Sequence, residues 1–325
     1  MSVNFSGQNL LDKINGNQYM RFKLVILFII IFNCLYAYTG STARYGYSAR
    51  SFALSDAMVA DEYRTFQSFS NPSSLNQCNG INYGISFFNM SLNRSIQTFY
   101  FSKGLPGNAG LSVAILRAGV SDFIGKDSFN NPTEEISLSD YYGLLSFGLK
   151  GFGLSIKMHY SNLYINQDHA DKYSGNSIVL DFGWSKSFIE DQLRIALKAE
   201  NLINPYLNWD IDIADGFSHS YSEDYPLVLS IGSMYKLGQK HQILFQYDNI
   251  KIDDGDLFLS RFGYEYNSLK NYFIRLGLKG RDDFRLGFGY TFNINDKFPL
   301  VMDYSLDLGS ENEGISHLFT WSFNL

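Results

Sequence analysis

The stretch FRLGFGYTF, residues 284–292, alternates without a break. Phe284, Leu286, Phe288, Tyr290 and Phe292 share one parity; Arg285, Gly287, Gly289 and Thr291 share the other. Successive side chains of a strand point to opposite faces, so this segment has one aromatic face and one that is small or charged. The pattern recurs from residue 81 to the C-terminus. It predicts fourteen strands at roughly 81–90, 95–102, 109–119, 140–149, 152–163, 176–187, 192–201, 225–236, 240–250, 257–267, 271–280, 283–293, 298–308 and 315–325. Most are close to the ~9–11 residues of a tilted membrane-spanning strand. A soluble sheet buries its apolar face in a core; a membrane barrel turns that face to lipid.

Three observations favour lipid. The faces separate cleanly: Leu193, Ile195, Leu197 and Ala199 oppose Arg194, Lys198 and Glu200, and Leu300, Met302, Tyr304 and Leu306 oppose Asp303 and Asp307. The chain has only 6 Pro, fewer than the turns of a soluble sandwich of this size call for. The three long connections, 120–139, 164–175 and 202–224, all fall at odd places in the strand order, and the even ones are short, as at 150–151. Outer-membrane barrels keep long loops outside and short turns in the periplasm. The expectation is an all-β fold: a fourteen-stranded antiparallel transmembrane outer-membrane β-barrel.

The N-terminus carries an address. Residues 20–37 read MRFKLVILFIIIFNCLYA: basic Arg21 and Lys23, an apolar run from Leu24 to Phe32, and Leu35-Tyr36-Ala37 before a cleavage point. This has the layout of a Sec-type secretory signal, with an uncleaved anchor as the alternative reading. Residues 1–19 read as an extension upstream of a start at Met20, which leaves the choice between Met1 and Met20 open. The mature chain then begins near Tyr38. The leader holds Lys13, Arg21 and Lys23 against Asp12, so cleavage makes a chain already at −6 more acidic. An acidic chain argues against nucleic acid as a partner. Cys34 leaves with the leader, and Cys78 alone can form no intramolecular disulfide.

Residues 38–80 lack the strand period and are long enough to need a place in the fold. Residues 51–62 are expected to form a short helix capped by Ser51. A barrel of fourteen strands encloses a lumen that needs filling, so 38–80 is read as a hatch or plug and 81–325 as the barrel. Within this segment, GYSARSFALSDAMVADEYRTFQSFSNPSSL resembles the opening of the PorV/PorQ family of outer-membrane proteins, which belongs with the FadL-like long-chain fatty acid transporters. Gly46, Ala49, Arg50, Ala53 and Leu54 match the first part of the family motif; Asn71, Pro72 and Leu75 match the second. Ser73 replaces the family's usual Ala, and Ser55-Asp56 its usual Gly-Gly. The last strand, HLFTWSFNL, sets Phe319, Trp321, Phe323 and Leu325 on one face. It resembles the terminal insertion signal of such barrels, with Leu325 in place of the usual Phe. The resemblance implies a monomeric fourteen-stranded barrel with an N-terminal hatch.

Catalytic and cofactor chemistry find no motif. His159, His169, His219, His241 and His317 lack ligand spacing, and Gly287 and Gly289 lie mid-strand rather than at a phosphate-binding turn. Asp210, Asp212 and Asp215 before Gly216 loosely suggest a calcium loop without its bidentate Glu. Neither an enzyme, a cofactor nor a metal is expected. The charges assigned to the lumen face are Lys157, Arg194, Lys198, Glu200, Asp248, Arg261, Glu265, Arg275, Lys279, Arg285, Asp303 and Asp307. They read either as a paired interior that holds the hatch or as a polar permeation path; Arg50 is expected to reach Asp303 or Asp307. Two functions stand open: a gated channel for small hydrophobic molecules, or an accessory of protein secretion whose outer loops hold a cargo. A purely structural or surface-binding protein is a further alternative. The expected surroundings are outer-membrane lipid of a Gram-negative cell, with the barrel assembly machinery as a partner in biogenesis.

Overall fold

A computed structural model describes residues 39–325, apart from 63–64, 127, 166–170, 204, 213–217, 253–254, 269–270, 282, 295–297 and 310–313. The expected leader therefore lies outside the described residues. Among the described residues there are sixteen strands: β1 Ile81–Asn89, β2 Arg94–Leu105, β3 Ala109–Lys126, β4 Pro132–Leu149, β5 Phe152–Ile165, β6 Asp171–Phe188, β7 Leu193–Glu200, β8 Tyr206–Asp212, β9 Ser218–Asp224, β10 Leu227–Leu237, β11 His241–Ile252, β12 Gly255–Asn267, β13 Tyr272–Lys279, β14 Asp283–Ile294, β15 Phe298–Asp307 and β16 Ser316–Asn324. Each barrel strand pairs antiparallel with its neighbours in sequence, β7 pairs with β10, and β1 closes the ring against β16. The result is a closed barrel of fourteen strands, with β8–β9 outside the ring.

The alternation becomes a wall with two faces. Phe284, Leu286, Phe288, Tyr290 and Phe292 are 37–53% exposed, whereas Arg285 between them is 3% exposed. The aromatic faces of the strands point out of the barrel, as lipid contact requires.

The three expected long loops, 120–139, 164–175 and 202–224, are largely taken up by strands, β5 reaching Ile165 and β6 starting at Asp171. Only residues 127–131 separate β3 from β4, which are 18 residues each. The 202–224 connection folds into the β8–β9 hairpin, which pairs with residues 172–176 of β6. The reason is physical: beyond the lipid a strand needs no apolar face, and backbone hydrogen bonds continue the ladder. The period-two signal ends while the ladder of β3 and β4 runs on. β3, β4, β5 and β6 thus stand tall at one end of the barrel, the long-hairpin end. The opposite, short-turn end carries turns such as Lys150-Gly151, both at positive φ (49° and 87°).

The N-terminal segment holds two helical turns, α1 Ala49–Ala53 and α2 Gln67–Ser70, and two 3-10 turns at Ser41–Arg44 and Pro72–Gln77. The helix expected over 51–62, capped by Ser51, is instead α1, capped by Ser48. Ser48 accepts from the Ser51 backbone N–H while Ser51 accepts from Ser48, a reciprocal capping box. The helix ends because Ser55 and Asp56 both turn to positive φ, 54° and 55°, which a continuing helix cannot accommodate.

Apolar packing inside the ring lies between this segment and the wall. Phe52, Phe66 and Tyr47 pack against Phe88, Tyr100, Leu116 and Tyr142 of β1–β4. Leu54, Met58 and Val59 pack against Ala196, Met234 and Leu244 of β7, β10 and β11.

Candidate functional site

The interior is built around the route of residues 39–80. At the long-hairpin end Thr42 donates to Asp140 and Arg44 pairs with Glu200 at 2.9 Å. Midway, the Ala49 backbone N–H donates to Thr320 Oγ1 at 2.7 Å. At the short-turn end the Pro72–Gln77 turn lies against β3–β6, and the chain continues into β1. The wall makes room with inward glycines. A side chain at Gly153 would land on the Pro72–Ser73 backbone, one at Gly110 on the Leu75 carbonyl, and one at Gly277 on Ala53 and Ser55. Gly287 faces the Ala53 methyl, and Gly289 leaves space taken by Asp303 and Arg275.

A ladder of buried charges joins this segment to β12–β15. Arg50 donates to Asp61 at 2.8 Å and to Glu265 at 2.9 Å. Arg275 bridges Glu265 and Asp303, the latter at 2.7 Å. Beside it, Arg261 pairs with Asp248 at 2.9 Å, and both Arg261 and Arg285 reach Asp56 at 3.5 Å. The Arg285 guanidinium also lies 4.0 Å from the Phe52 ring centre, a cation–π contact that fixes α1. Burial alone would disfavour charge on Arg50, but Asp61 and Glu265 outweigh it and hold the guanidinium charged well above its ordinary range. The expected partners of Arg50, Asp303 and Asp307, are engaged elsewhere: Asp303 by Arg275 and Asp307 by the Tyr45 hydroxyl. α1 packs against β13–β16, and the long Arg50 side chain spans the gap to Glu265 on β12.

A second constellation lies toward the long-hairpin end. Glu200 gathers Arg44 at 2.9 Å, Lys198 at 3.5 Å and Lys157 at 3.6 Å; Lys157 also lies 3.3 Å from Asp181. These groups border a cavity of about 80 Å³ whose far side is Tyr47, Asp56 and Phe69 of the N-terminal segment. Tyr47 stacks on Phe69 at 5.1 Å, and burial pushes its hydroxyl pKa well up, so the phenol stays neutral.

Of the charges assigned to the lumen, all but Glu200, Lys279 and Asp307 are buried. Arg194 donates to Ser74 and Ser185, which ties β6 and β7 to the Pro72–Gln77 turn. Among the motif residues, Ala49, Ala53, Leu54, Asn71 and Leu75 are fully buried. Asn71 caps the second 3-10 turn by accepting from the Ser73 N–H, with Pro72 at its first position. Gly46 has φ 142°, a conformation that favours glycine. Phe319 and Leu325 point outward, 41% and 54% exposed, and Ile81 and Leu325 exchange backbone hydrogen bonds at the seam. His159 contacts Asp140 at 3.2 Å and stacks on Tyr142. His169, Asp215 and Gly216 lie outside the described residues, and no three His, Cys, Asp or Glu come together as a metal site among the described ones.

The sequence reading missed Asp140 and Asp181, although both sit on the inward parity of their strands, with Tyr142 and Val179 respectively. Asp56 and Asp61 lie outside regular elements and carry no periodic signal, and Tyr225, expected to open a strand, lies just before β10.

No protein-family model and no curated protein matches the sequence. Solved structures do. The toluene transporter TodX of Pseudomonas putida is 11% identical, with 86% of this chain and 96% of that chain covered and a TM-score of 0.57. The CymD monoaromatic hydrocarbon channel is 12% identical, with 88% and 97% covered and a TM-score of 0.59. A FadL homologue of Pseudomonas aeruginosa is 12% identical, with 90% and 98% covered and a TM-score of 0.50. These likenesses show that the chain shares the fold of these solved barrels.

Proposed function

We propose that the chain is an outer-membrane transport barrel whose residues 38–80 form a hatch, with the long-hairpin end outside the cell and the short-turn end in the periplasm. One observation supports the reading: described residues of the segment are fastened to the wall at three places, through Arg44–Glu200, Arg50–Glu265 and Pro72 against Gly153. A barrel that only displayed loops would not need a filled interior. The named functions of TodX and CymD support transport of small, largely apolar molecules. The motif residues Gly46, Ala49, Arg50, Ala53, Leu54, Asn71, Pro72 and Leu75 support a PorV/PorQ-type member within the class. Passage then requires the hatch to shift, or the solute to leave through the wall. Deletion of residues 40–75 behind an intact leader tests this. The deleted form inserts and conducts ions in planar bilayers, while the intact form conducts little; equal conductance overturns the reading.

The tall strands favour a second reading. β3–β6 and the β8–β9 hairpin project beyond the lipid and could hold a secreted cargo. Replacing residues 206–224 by a short Gly-Ser loop would then release a cargo from the cell surface while leaving conductance unchanged.

A further inference from the structure

We propose that β9 is a strand-addition site: its open edge takes an extended segment of another protein in which basic and apolar residues alternate. The proposal deepens the reading of the β8–β9 hairpin as a holder of cargo, and rests on that reading for its place outside the cell.

The edge is defined by its hydrogen bonds. β9 alone among the described strands has a single partner, β8. The Tyr225 N–H donates to the Pro205 carbonyl, so in this antiparallel ladder the odd-numbered residues of β9 exchange hydrogen bonds with β8. Ser218, Ser220, Ser222 and Asp224 therefore turn their backbone N–H and C=O groups to the open side. An unpaired row of this kind is a template for a further strand, and natural edges are commonly blunted by Lys, Pro or a bulge. β9 has none of the three: it reads SHSYSED, and its register against β8 is unbroken. Nor is the strand loose. Trp209 donates to Glu223 at 3.1 Å and stacks on Tyr221, and Thr39 of the N-terminal segment also donates to Glu223. The edge is set before a partner arrives, which lowers the ordering cost of binding.

Charge names the occupant. Residues 206–224 contain Asp210, Asp212, Asp215, Glu223 and Asp224 and neither Lys nor Arg. Lys172 of β6 stands opposite Asp212, across β8 from the open edge, and Lys251 of β11 stands opposite Asp256. A second copy of this chain would bring a like-charged hairpin to the edge, which is unfavourable; a basic segment is attracted. The two faces supply the alternation. Ser220 shares a face with its exposed partner Asp210, and Ser222 and Asp224 lie on that same face. Tyr221, 52% exposed, lies on the other with His219. Side chains of an added strand fall on these same two faces. Lys or Arg suits the first, and a β-branched residue beside Tyr221 suits the second.

The test is an anisotropy titration of the full chain, in a neutral detergent, with the labelled peptide Thr-Lys-Val-Lys-Val-Lys-Thr. Saturable binding is expected. The peptide with Glu in place of Lys, and the Lys peptide with every amide N-methylated, each bind at least tenfold more weakly. Ser220→Pro removes an edge donor that the ladder to β8 does not use, and weakens the Lys peptide tenfold or more. Asp210→Lys combined with Asp224→Lys turns the preference toward the Glu peptide. Heat-modifiable migration shows that each variant is folded, and a variant that fails it leaves the three-peptide series on the unaltered chain to decide. No binding of the Lys peptide overturns the proposal. So does equal binding of the Glu peptide, or of the N-methylated one, which would mean contact with surface charge only. An unchanged affinity in folded Ser220→Pro also overturns it. Detergent titration does not depend on which end of the barrel faces outward. Staining of intact cells by the Lys peptide, lost in Ser220→Pro, reads that separately: binding in detergent without such staining supports the edge and overturns the outer placement.

Discussion

Arg50 sits where a neutral side chain would leave Asp61 facing a carboxylate neighbour with its guanidinium removed. Glu265 keeps Arg275, so the loss falls mainly on Asp61. Removing one partner of a buried pair costs about 3–5 kcal/mol. Arg50→Met should therefore lower the melting midpoint of the detergent-solubilised barrel and raise its conductance in planar bilayers. Two adjacent residues give an independent check on the wall. Leu286→Arg sets a charge on the lipid face and should cost about 2–4 kcal/mol near the bilayer midplane, read as reduced insertion into lipid vesicles. Arg285→Leu should insert well, since it faces inward, but should loosen α1 by removing the contact with Phe52. At this scale the inward charges on regular strands were legible, because a period of two assigns a side to every residue. The partners of Arg50 were not, because Asp61 lies in irregular chain and the choice of Glu265 over Asp303 depends on where α1 sits across the lumen.

Strands were legible as far as their apolar faces extended. β14 and β16 could be read almost to the residue, while β3, β4 and β6 continue past their apolar faces without an aromatic stripe. The short helix ends earlier than its residues suggest because Ser55 and Asp56 take positive φ, and the one hint of this is that they stand where the resembled family has Gly-Gly. The glycines are the clearest link between strand and segment. Gly153→Val raises strand propensity yet drives a side chain into the Pro72–Ser73 backbone. The variant should insert and show heat-modifiable migration like the unaltered chain, but conduct ions. A variant that stays closed would mean that the Pro72–Gln77 turn can give way without opening a path.

For the whole molecule, alternation and loop parity were enough to read a closed fourteen-stranded barrel, while the contents of the lumen needed coordinates. The outward aromatic wall predicts recovery in the outer-membrane fraction and faster migration on unboiled gels; recovery as a soluble periplasmic protein would contradict it. Closure has a further consequence. The seam joins β1 to β16, with Asn82 opposite Asn324, so the first strand synthesised meets the last. The described residues of 39–80 precede that first strand and contact the wall of the ring it helps to close, from Thr42 at Asp140 to the Pro72–Gln77 turn against β3–β6. If the proposed hatch is seated before the seam zips, the ring forms around its own leading segment, much as a bead is cast on a wire. The final zipping of the seam then imprisons whatever the segment has already gripped.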